Sequence, residues 1–225
     1  MDSRYVEQTF FDIYKLTASI KGICGSLAVD MAQHGAKHII AMTRSGISDD
    51  ISQAIVRDCN SLGCEVQEAK ADVCNAEDVE RAFKTALQPI GGIVQGAVVL
   101  RVREPYPRYY WDNELIFPYQ DKPFEVMTLE DYYTAASAKV EGTWNLHRSS
   151  LAHKSPISFF TLLSSMSGVI GQKAQANYSA ANVFMDAFSN YRHSQGLPAH
   201  SLDLGIIEEV GFAAREGGIQ DRMSI

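Results

Sequence analysis

The stretch FFTLLSSMSGVIGQKAQANYSAANVFMDAF, residues 159–188, predicts a strand, a polar turn and a helix in that order. The short apolar run at 157–163 is typical of a strand that is buried on both faces. Small polar residues follow it, and the spacing from 175 to about 195 is helical. Ligands of open α/β sheets bind at the carboxyl ends of such strands, so we expect a binding site at this turn.

The remainder of the chain repeats this alternation from residue 20 onward. Strands are predicted at 38–42, 64–69, 92–100 and 199–204, and helices at 25–34, 51–62, 78–87 and 128–147. Strands that alternate with helices pair in parallel through right-handed crossovers. The predicted fold is therefore α/β, with a doubly wound, Rossmann-like parallel sheet.

Two stretches interrupt this alternation. Residues 102–120, VREPYPRYYWDNELIFPYQ, follow neither strand nor helix periodicity, and a structureless loop of this length is unusual inside a compact domain. Residues 1–19 hold only a poor candidate for the first strand, at 10–16. We therefore expect the first strand to be weak or defective.

Length and composition favour one large domain. The 225 residues are 46% hydrophobic, which is sufficient for a full core. A net charge of −7 and a pI near 5.3 argue against a nucleic-acid partner, because such partners bind basic surfaces. The four cysteines form no C-x-x-C pair, so no metal site is expected. Neither a signal peptide nor a membrane span is expected, which predicts a cytoplasmic location.

Tyr178 and Asn182 lie four residues apart, so they share one face of the helix that follows Ser165. One interpretation of this pattern is a catalytic site at the end of the strand. In the other interpretation, the serines are ordinary loop residues and Tyr178 is a partly buried aromatic residue. The pattern S-S-x-S-G by itself leaves both open.

The whole stretch resembles the ketoreductase domains of polyketide synthases, a branch of the short-chain dehydrogenases/reductases, and especially those of fungal reducing synthases. Tyr178 follows Ser165 by thirteen residues and precedes Asn182 by four, as in that family. AKVEGTWNLH, residues 138–147, resembles the helix that supplies the family's lysine, here Lys139. Most short-chain reductases place the lysine four residues after the tyrosine. The swapped arrangement is specific to the ketoreductases of polyketide and fatty-acid synthases.

The resemblance implies a catalytic set of Lys139, Ser165, Tyr178 and Asn182. Tyr178 would donate a proton to the ketone oxygen, and the Lys139 ammonium would lower the pKa of the phenol from its usual value of about 10. Ser165 would donate a hydrogen bond to the substrate carbonyl. Asn182 would hold Lys139 or a relay water.

The resemblance also implies NADPH as the cofactor. Arg44 and Ser45 stand where NADPH-dependent members bind the 2′-phosphate, a role that suits the planar guanidinium. Asp72 and Val73 match the pair that contacts adenine. Without the resemblance, Arg44 is interpreted as a surface loop residue and Asp72 as an acid near a helix start.

The phosphate loop departs from the family pattern T-G-x-x-x-G-x-G, since residues 17–24 read TASIKGIC. Glycines in such a loop let the backbone approach a pyrophosphate at a helix N-terminus. Thr17, Gly22 and Ile23 remain the candidate residues for this contact, and Gly22 alone keeps a glycine position. QGAV at 95–98 likewise departs from the family's H-A-A-G beside the nicotinamide.

Removal of 102–120 would leave LRDKPFE, which is how fungal members read at this place. Valine codons begin with GT and a glutamine codon ends with AG, so a retained in-frame intron is one interpretation of the insert, and a natural lid loop is the other. Without the insert, Asp121 takes the third position of the family's L-D-D element. Ile170 stands where the opposite stereochemical class has tryptophan.

We therefore expect reduction of a β-ketoacyl thioester on an acyl carrier protein, with the other domains of a polyketide synthase as partners. The predicted boundaries are a poorly matching segment at 1–19, a ketoreductase domain at 20–212 and a truncated tail at 213–225. One alternative is a degenerate, non-catalytic fragment, which the phosphate loop, first strand and insert indicate. A stand-alone reductase of a small free ketone is the other, against which the swapped lysine argues.

Overall fold

A computed structural model of the chain describes residues 13–17, 20–86, 89–97, 122–205 and 207, with backbone alone at 13–17. Its strands are β1 (Ile13–Thr17), β2 (His38–Thr43), β3 (Glu65–Lys70), β4 (Gly92–Gln95), β5 (Phe159–Ser165) and β6 (His200–Leu204). All neighbouring strands pair in parallel, in the order β3-β2-β1-β4-β5-β6. The predicted doubly wound parallel sheet is confirmed.

The helices of the described ranges connect these strands and cover both faces of the sheet. They are α1 (Ile23–Gln33), α2 (Asp50–Ser61), α3 (Ala76–Lys84), α4 (Leu129–Ala152), α5 (Ser167–Ile170) and α6 (Ala176–Ser194), with a 3₁₀ turn at Phe124–Val126. The capping box predicted for α4 forms, because Thr128 and Asp131 bond reciprocally through their side chains and backbone N–H groups. The short helix α5 was not expected from the sequence, since four residues are too few for helical periodicity.

The expectation of a defective first strand is wrong. β1 lies between β2 and β4, with Tyr14 opposite both Ile39 and Gly92. Backbone hydrogen bonds on both edges stabilise such a central strand, so the weak apolar pattern of its own residues does not prevent its formation. The predicted insert at 102–120 lies outside the described residues, as does Asp121.

Alternate residues along the strands face two separate cores. On β2, Ile40 and Met42 pack with the side of the sheet covered by α3, α4 and α6, whereas Ile39 and Ala41 pack with the side covered by α1 and α2. This alternation follows from the two-residue period of a strand. The result is a three-layer α/β/α arrangement in which the carboxyl ends of all the parallel strands lie at one edge of the sheet.

A buried polar contact joins α4 to α6. Arg192 is 1% exposed, and its Nη1 lies 2.7 Å from Nδ1 of His147 while its Nε donates to the carbonyl of Pro198 at 3.0 Å. A guanidinium has only donors, so Nδ1 of His147 accepts and the imidazole is neutral. The guanidinium carbon Cζ of Arg192 also lies 4.2 Å from the ring centroid of Phe160 on β5.

We expect the free energy of unfolding to decrease as the pH falls below about 6.5. Burial, with the charges of Arg192 and Arg148, lowers the pKa of His147 to about 4 from the 6.5 of an exposed histidine. The unfolded chain therefore binds the extra proton between these values, and the stability present at higher pH is lost at up to about 1.4 kcal/mol per pH unit.

Urea unfolding of the wild type and of His147→Gln at several pH values measures this contribution. The wild type should lose stability more steeply than His147→Gln between about pH 6.5 and 4, whereas the control His200→Gln, at an exposed histidine, should follow the wild type. Parallel pH profiles for the wild type and His147→Gln would show that His147 does not cause the loss.

Candidate active site

The four predicted catalytic residues come from three elements that meet at the carboxyl edge of the sheet. Ser165 is the last residue of β5, Lys139 lies inside α4, and Tyr178 and Asn182 lie in the first turns of α6. The Lys139 Nζ is 5.7 Å from the centroid of the Tyr178 ring. The structure therefore brings a buried cation, a phenol and a strand-end hydroxyl into one region.

Lys139 is buried almost completely, with 1% of its surface exposed. Its Nζ donates to the carbonyl of Leu163 on β5 at 2.8 Å and to Sδ of Met185 on α6 at 3.4 Å. The ammonium is thus held between the strand that carries Ser165 and the helix that carries Tyr178.

Burial lowers the pKa of Lys139 to about 8, and the charge of Asp186 opposes this change. Cys24 on α1 is a second neighbour, but burial raises its thiol pKa to about 12. The thiol is therefore neutral where Lys139 titrates and adds no negative charge. The result is a lysine that releases its proton far more readily than an exposed one.

Tyr178 is anchored through the residue before it. The Asn177 Oδ1 accepts a hydrogen bond from the Tyr178 N–H at 2.8 Å, and the Asn177 Nδ2 donates to the carbonyl of Asp131 at 3.0 Å. Lys122 Nζ lies 2.6 Å from Oδ2 of Asp131 and fixes this carboxylate in turn. The ion pair holds the pKa of the Asp131 carboxyl well below its usual range. The start of α6 is therefore tied to the start of α4, and the phenol-bearing turn has a defined position.

Ser165 and Asn182 are linked through the turn that separates them. Ser165 Oγ accepts from the Ser167 N–H at 3.2 Å, which leaves its own O–H as a donor. Asn182 Nδ2 donates to Ser167 Oγ at 3.3 Å and to the Tyr178 carbonyl at 2.9 Å. Gly168 permits this close packing, since a Cβ there would lie 3.2 Å from Cβ of Asn182.

Asn182 is fully buried, yet its Oδ1 has no hydrogen-bond partner among the described residues. No described bond joins it to Lys139, whose acceptors are Leu163 and Met185. Its predicted role as a holder of Lys139 or of a relay water thus stays a prediction. A buried acceptor without a partner indicates a polar donor at this position in the functional protein.

The predicted cofactor residues lie along the same edge of the sheet. Gly22 is the N-cap of α1 with a positive φ of 61°, a conformation suited to glycine, and it leaves the first N–H groups of that helix open. Ile23 begins the helix, and Arg44 and Ser45 are exposed directly after β2. At Thr17, only the strand backbone is described.

Asp72 and Val73 follow β3 and are held in place by their neighbours. Asp72 Oδ1 accepts from the N–H of Cys74 at 2.9 Å, and the carbonyl of Val73 accepts from Nδ2 of Asn145 on α4 at 3.0 Å. Lys21 in the loop is committed to an ion pair with Asp49 at 2.8 Å. The open helix N-terminus and the exposed arginine supply donors for phosphate oxygens, and the positioned acid supplies an acceptor. Together they fit a phosphorylated dinucleotide.

Gln95 is a residue of the site that the sequence analysis treated only as a departure from a pattern. It is buried at the end of β4, its Nε2 donates to the carbonyl of Ala138 at 2.9 Å, and its Oε1 accepts from the N–H of Ala97 at 3.1 Å. The contact fixes the α4 turn that carries Lys139. The signal that could have indicated it is a polar residue inside the otherwise apolar run at 92–100.

Ile170 lies on α5 beside the Ser165 turn and is 76% exposed. Within the described ranges, no group of three His, Cys, Asp or Glu side chains is placed to hold a metal ion. In the same part of the chain, no helix is both long and apolar enough to cross a membrane.

The chain is similar over most of its length to one protein family and to several longer proteins. The profile of the KR domain matches residues 13–104 and 117–209. The highly reducing polyketide synthase claI of Penicillium crustosum is 45% identical over 209 residues, which are 92% of this chain and 8% of that protein. The low-reducing polyketide synthase drtA of Aspergillus calidoustus is 42% identical over 206 residues, again 92% and 8%.

Solved structures show the same architecture. An A1-type ketoreductase superposes with a TM-score of 0.79 at 25% identity, covering 94% of this chain and 40% of that one. A ketoreductase domain from the bacillaene assembly line gives 0.75 at 25% identity, covering 93% and 46%. The chain spans less than a tenth of the length of the curated relatives quoted above.

Proposed function

The chain belongs to the KR domain family of polyketide synthases, and from that premise we propose that it uses NADPH to reduce a β-ketoacyl thioester to the β-hydroxyacyl form. The observation that carries this proposal is the buried Lys139 ammonium 5.7 Å from the centroid of the Tyr178 ring, at the strand end that presents Ser165. A phenol beside a cation is suited to give up a proton when an oxygen becomes negative.

The proposed chemistry divides among the residues of the site. Tyr178 donates a proton to the ketone oxygen, and Lys139 stabilises the phenolate that remains. Ser165 donates a hydrogen bond to the same oxygen and orients the carbonyl. A bound nicotinamide cofactor supplies the hydride. Asn182 contributes its buried Oδ1 as an acceptor for a water that returns a proton towards Lys139.

The residues that would hold NADPH are the open N-terminus of α1 at Gly22 and Ile23, with Thr17 before it, for the diphosphate, and Asp72 with Val73 for the adenine. Arg44 and Ser45 would hold the 2′-phosphate. Their placement at the carboxyl ends of β1, β2 and β3 supports this assignment. The departures at Ala18 and Ser19 weigh in the opposite direction, and Ala18 stands at a glycine position of the family pattern.

Replacement of Arg44 by Ala tests the choice of NADPH. We expect the KM for NADPH to rise by about ten- to a hundredfold, because a guanidinium–phosphate contact contributes about 1.5–3 kcal/mol. The KM for NADH should change little. Arg57→Ala removes an exposed arginine from α2 and serves as the control. An equal effect on both cofactors would show that Arg44 does not read the 2′-phosphate.

The names of the relatives support the substrate and partners that we propose. These relatives are named as polyketide synthases. As the family resemblance implies, the substrate would be a β-ketoacyl chain on an acyl carrier protein and the partners would be the other synthase domains. Asp121 and Ile170 are proposed to influence the configuration of the alcohol.

The insert at 102–120 is proposed to be foreign to the active domain. The match to the KR domain is interrupted at 105–116, inside this insert, which supports the proposal. Sequencing the transcript across codons 95–125 tests it, since a mature message that keeps all of the codons for 102–120 would identify the insert as part of the protein.

The function itself is tested by NADPH consumption with a β-ketoacyl thioester and with a free small ketone. The chain as given is compared with one lacking 102–120. Turnover of the thioester supports the proposal, and preference for the free ketone would instead identify a stand-alone reductase. Absence of both turnover and NADPH binding in the two forms would identify a degenerate fragment.

A further inference from the structure

We propose that Met185 is a positioning residue that holds the Lys139 ammonium in place through its thioether sulfur. The proposal rests on the function proposed above, in which Lys139 acts on Tyr178. It concerns a hydrogen bond that a hydrocarbon side chain of the same size cannot make.

Two acceptors fix the position of the Lys139 ammonium. Lys139 Nζ has three donors, and two of them reach Leu163 O at 2.8 Å and Met185 Sδ at 3.4 Å. The two acceptors come from β5 and α6. They therefore define the position of the nitrogen relative to Ser165 and Tyr178, which belong to the same two elements.

Met185 lies on the same face of α6 as Asn182 and Tyr178. It follows Asn182 by three residues and Tyr178 by seven, and this spacing places all three side chains on one helix face. Met185 is fully buried. The unbranched thioether therefore reaches the ammonium from the same face that presents the phenol.

The thioether sulfur of Met185 differs from a carboxylate as an acceptor for the ammonium. A buried ammonium needs acceptors, and a carboxylate in direct contact would raise its pKa strongly. The next residue, Asp186, accepts instead from the hydroxyl of Ser201 on β6. A thioether is a weak, uncharged acceptor, so it fixes the nitrogen while adding no charge. The titratable groups that face Lys139 from the surrounding elements are the neutral thiol of Cys24 on α1, the carboxylate of Asp186 on α6 and the phenol of Tyr178.

Met185 is also a core residue, packed in the cluster that includes Phe160 and Phe188. Met42 on β2 belongs to the same cluster and is 2% exposed. The same substitution at the two positions therefore separates packing from the contact with the ammonium. Leucine conserves volume, so both variants are expected to fold.

The experiment compares Met185→Leu with Met42→Leu in the full chain. The pKa of Lys139 is measured by NMR after labelling lysine at Cε, with the signal assigned by its absence from Lys139→Arg. In Met185→Leu the lysine loses an acceptor, so we expect its pKa to fall. Turnover should decrease about three- to tenfold at unchanged KM for NADPH, with the alkaline limb of the kcat profile displaced to lower pH.

Met42→Leu is expected to leave both the pKa of Lys139 and the kcat profile as in the wild type. If Met185→Leu also leaves the pKa of Lys139 at its wild-type value, Met185 acts through packing alone and the proposal is overturned. The NMR measurement needs no turnover, so it tests the contact even if the chain does not reduce thioesters. Failure of the proposed function is detected separately, by the NADPH assay.

Discussion

Replacement of Tyr178 by Phe is expected to reduce kcat for the β-ketoacyl thioester by roughly two to four orders of magnitude. Phenylalanine keeps the ring that lies beside Lys139 but has no hydroxyl. The ketone oxygen then has no proton donor from α6, and the nearby ammonium has no phenolate to stabilise. NADPH consumption at saturating substrate measures this loss.

The cofactor and fold should be unaffected by this change. NADPH binding, followed by fluorescence, is expected to remain within about twofold of the wild type, which is under half a kcal/mol. Tyr191→Phe, on the same helix but in the aromatic cluster with Trp144 and Phe188, is the matched control. Turnover of Tyr178→Phe at the rate of this control would show that another group supplies the proton.

Replacement of Arg192 by Met is expected to lower the free energy of unfolding by about 2–4 kcal/mol, since two buried acceptors lose their donor. These acceptors are Nδ1 of His147 and the carbonyl of Pro198, and the contact with the Phe160 ring is lost as well. Methionine fills much of the space, but it supplies no N–H group. Urea unfolding at neutral pH measures the loss.

Arg148→Met is the control for this prediction. Arg148 is exposed on α4 with its guanidinium 5.3 Å from the Trp144 ring centroid, so its removal should cost less than about 0.5 kcal/mol. Because His147 and Arg192 lie on the two helices that carry Lys139 and Tyr178, Arg192→Met should also lower kcat. Equal stabilities of the two variants would show that the buried guanidinium contributes no more than the exposed one.

Much of the candidate site was predicted from the sequence because its residues carry local signals. The spacing of Ser165, Tyr178 and Asn182 within one strand–turn–helix unit predicts that they lie near one turn, and the resemblance assigned them a catalytic role. Lys139 was predicted by resemblance alone, since nothing in its own helix distinguishes it from a solvated lysine. The structure places it 1% exposed beside Tyr178, which a solvated lysine would not be.

The first strand was predicted to be defective because a local sequence pattern does not show which strands pair with a segment. Residues 13–17 have a weak apolar pattern, yet they form the strand between β2 and β4. The pattern reports only the side chains of the segment. The stability of a central strand depends on two neighbours that lie far along the chain, and no local window contains them.

The sequence by itself determined the alternation of strands and helices, the capping box at Thr128 and the identity of the residues at the polar turn. Only the tertiary structure decided which atoms hold them. Lys139 meets Leu163 and Met185 across 24 and 46 residues of chain, and Arg192 meets His147 across 45. Periodicity and capping act within a few residues, whereas these hydrogen bonds depend on the packing of α4 and α6 against β5, which brings together residues that lie far apart in the chain.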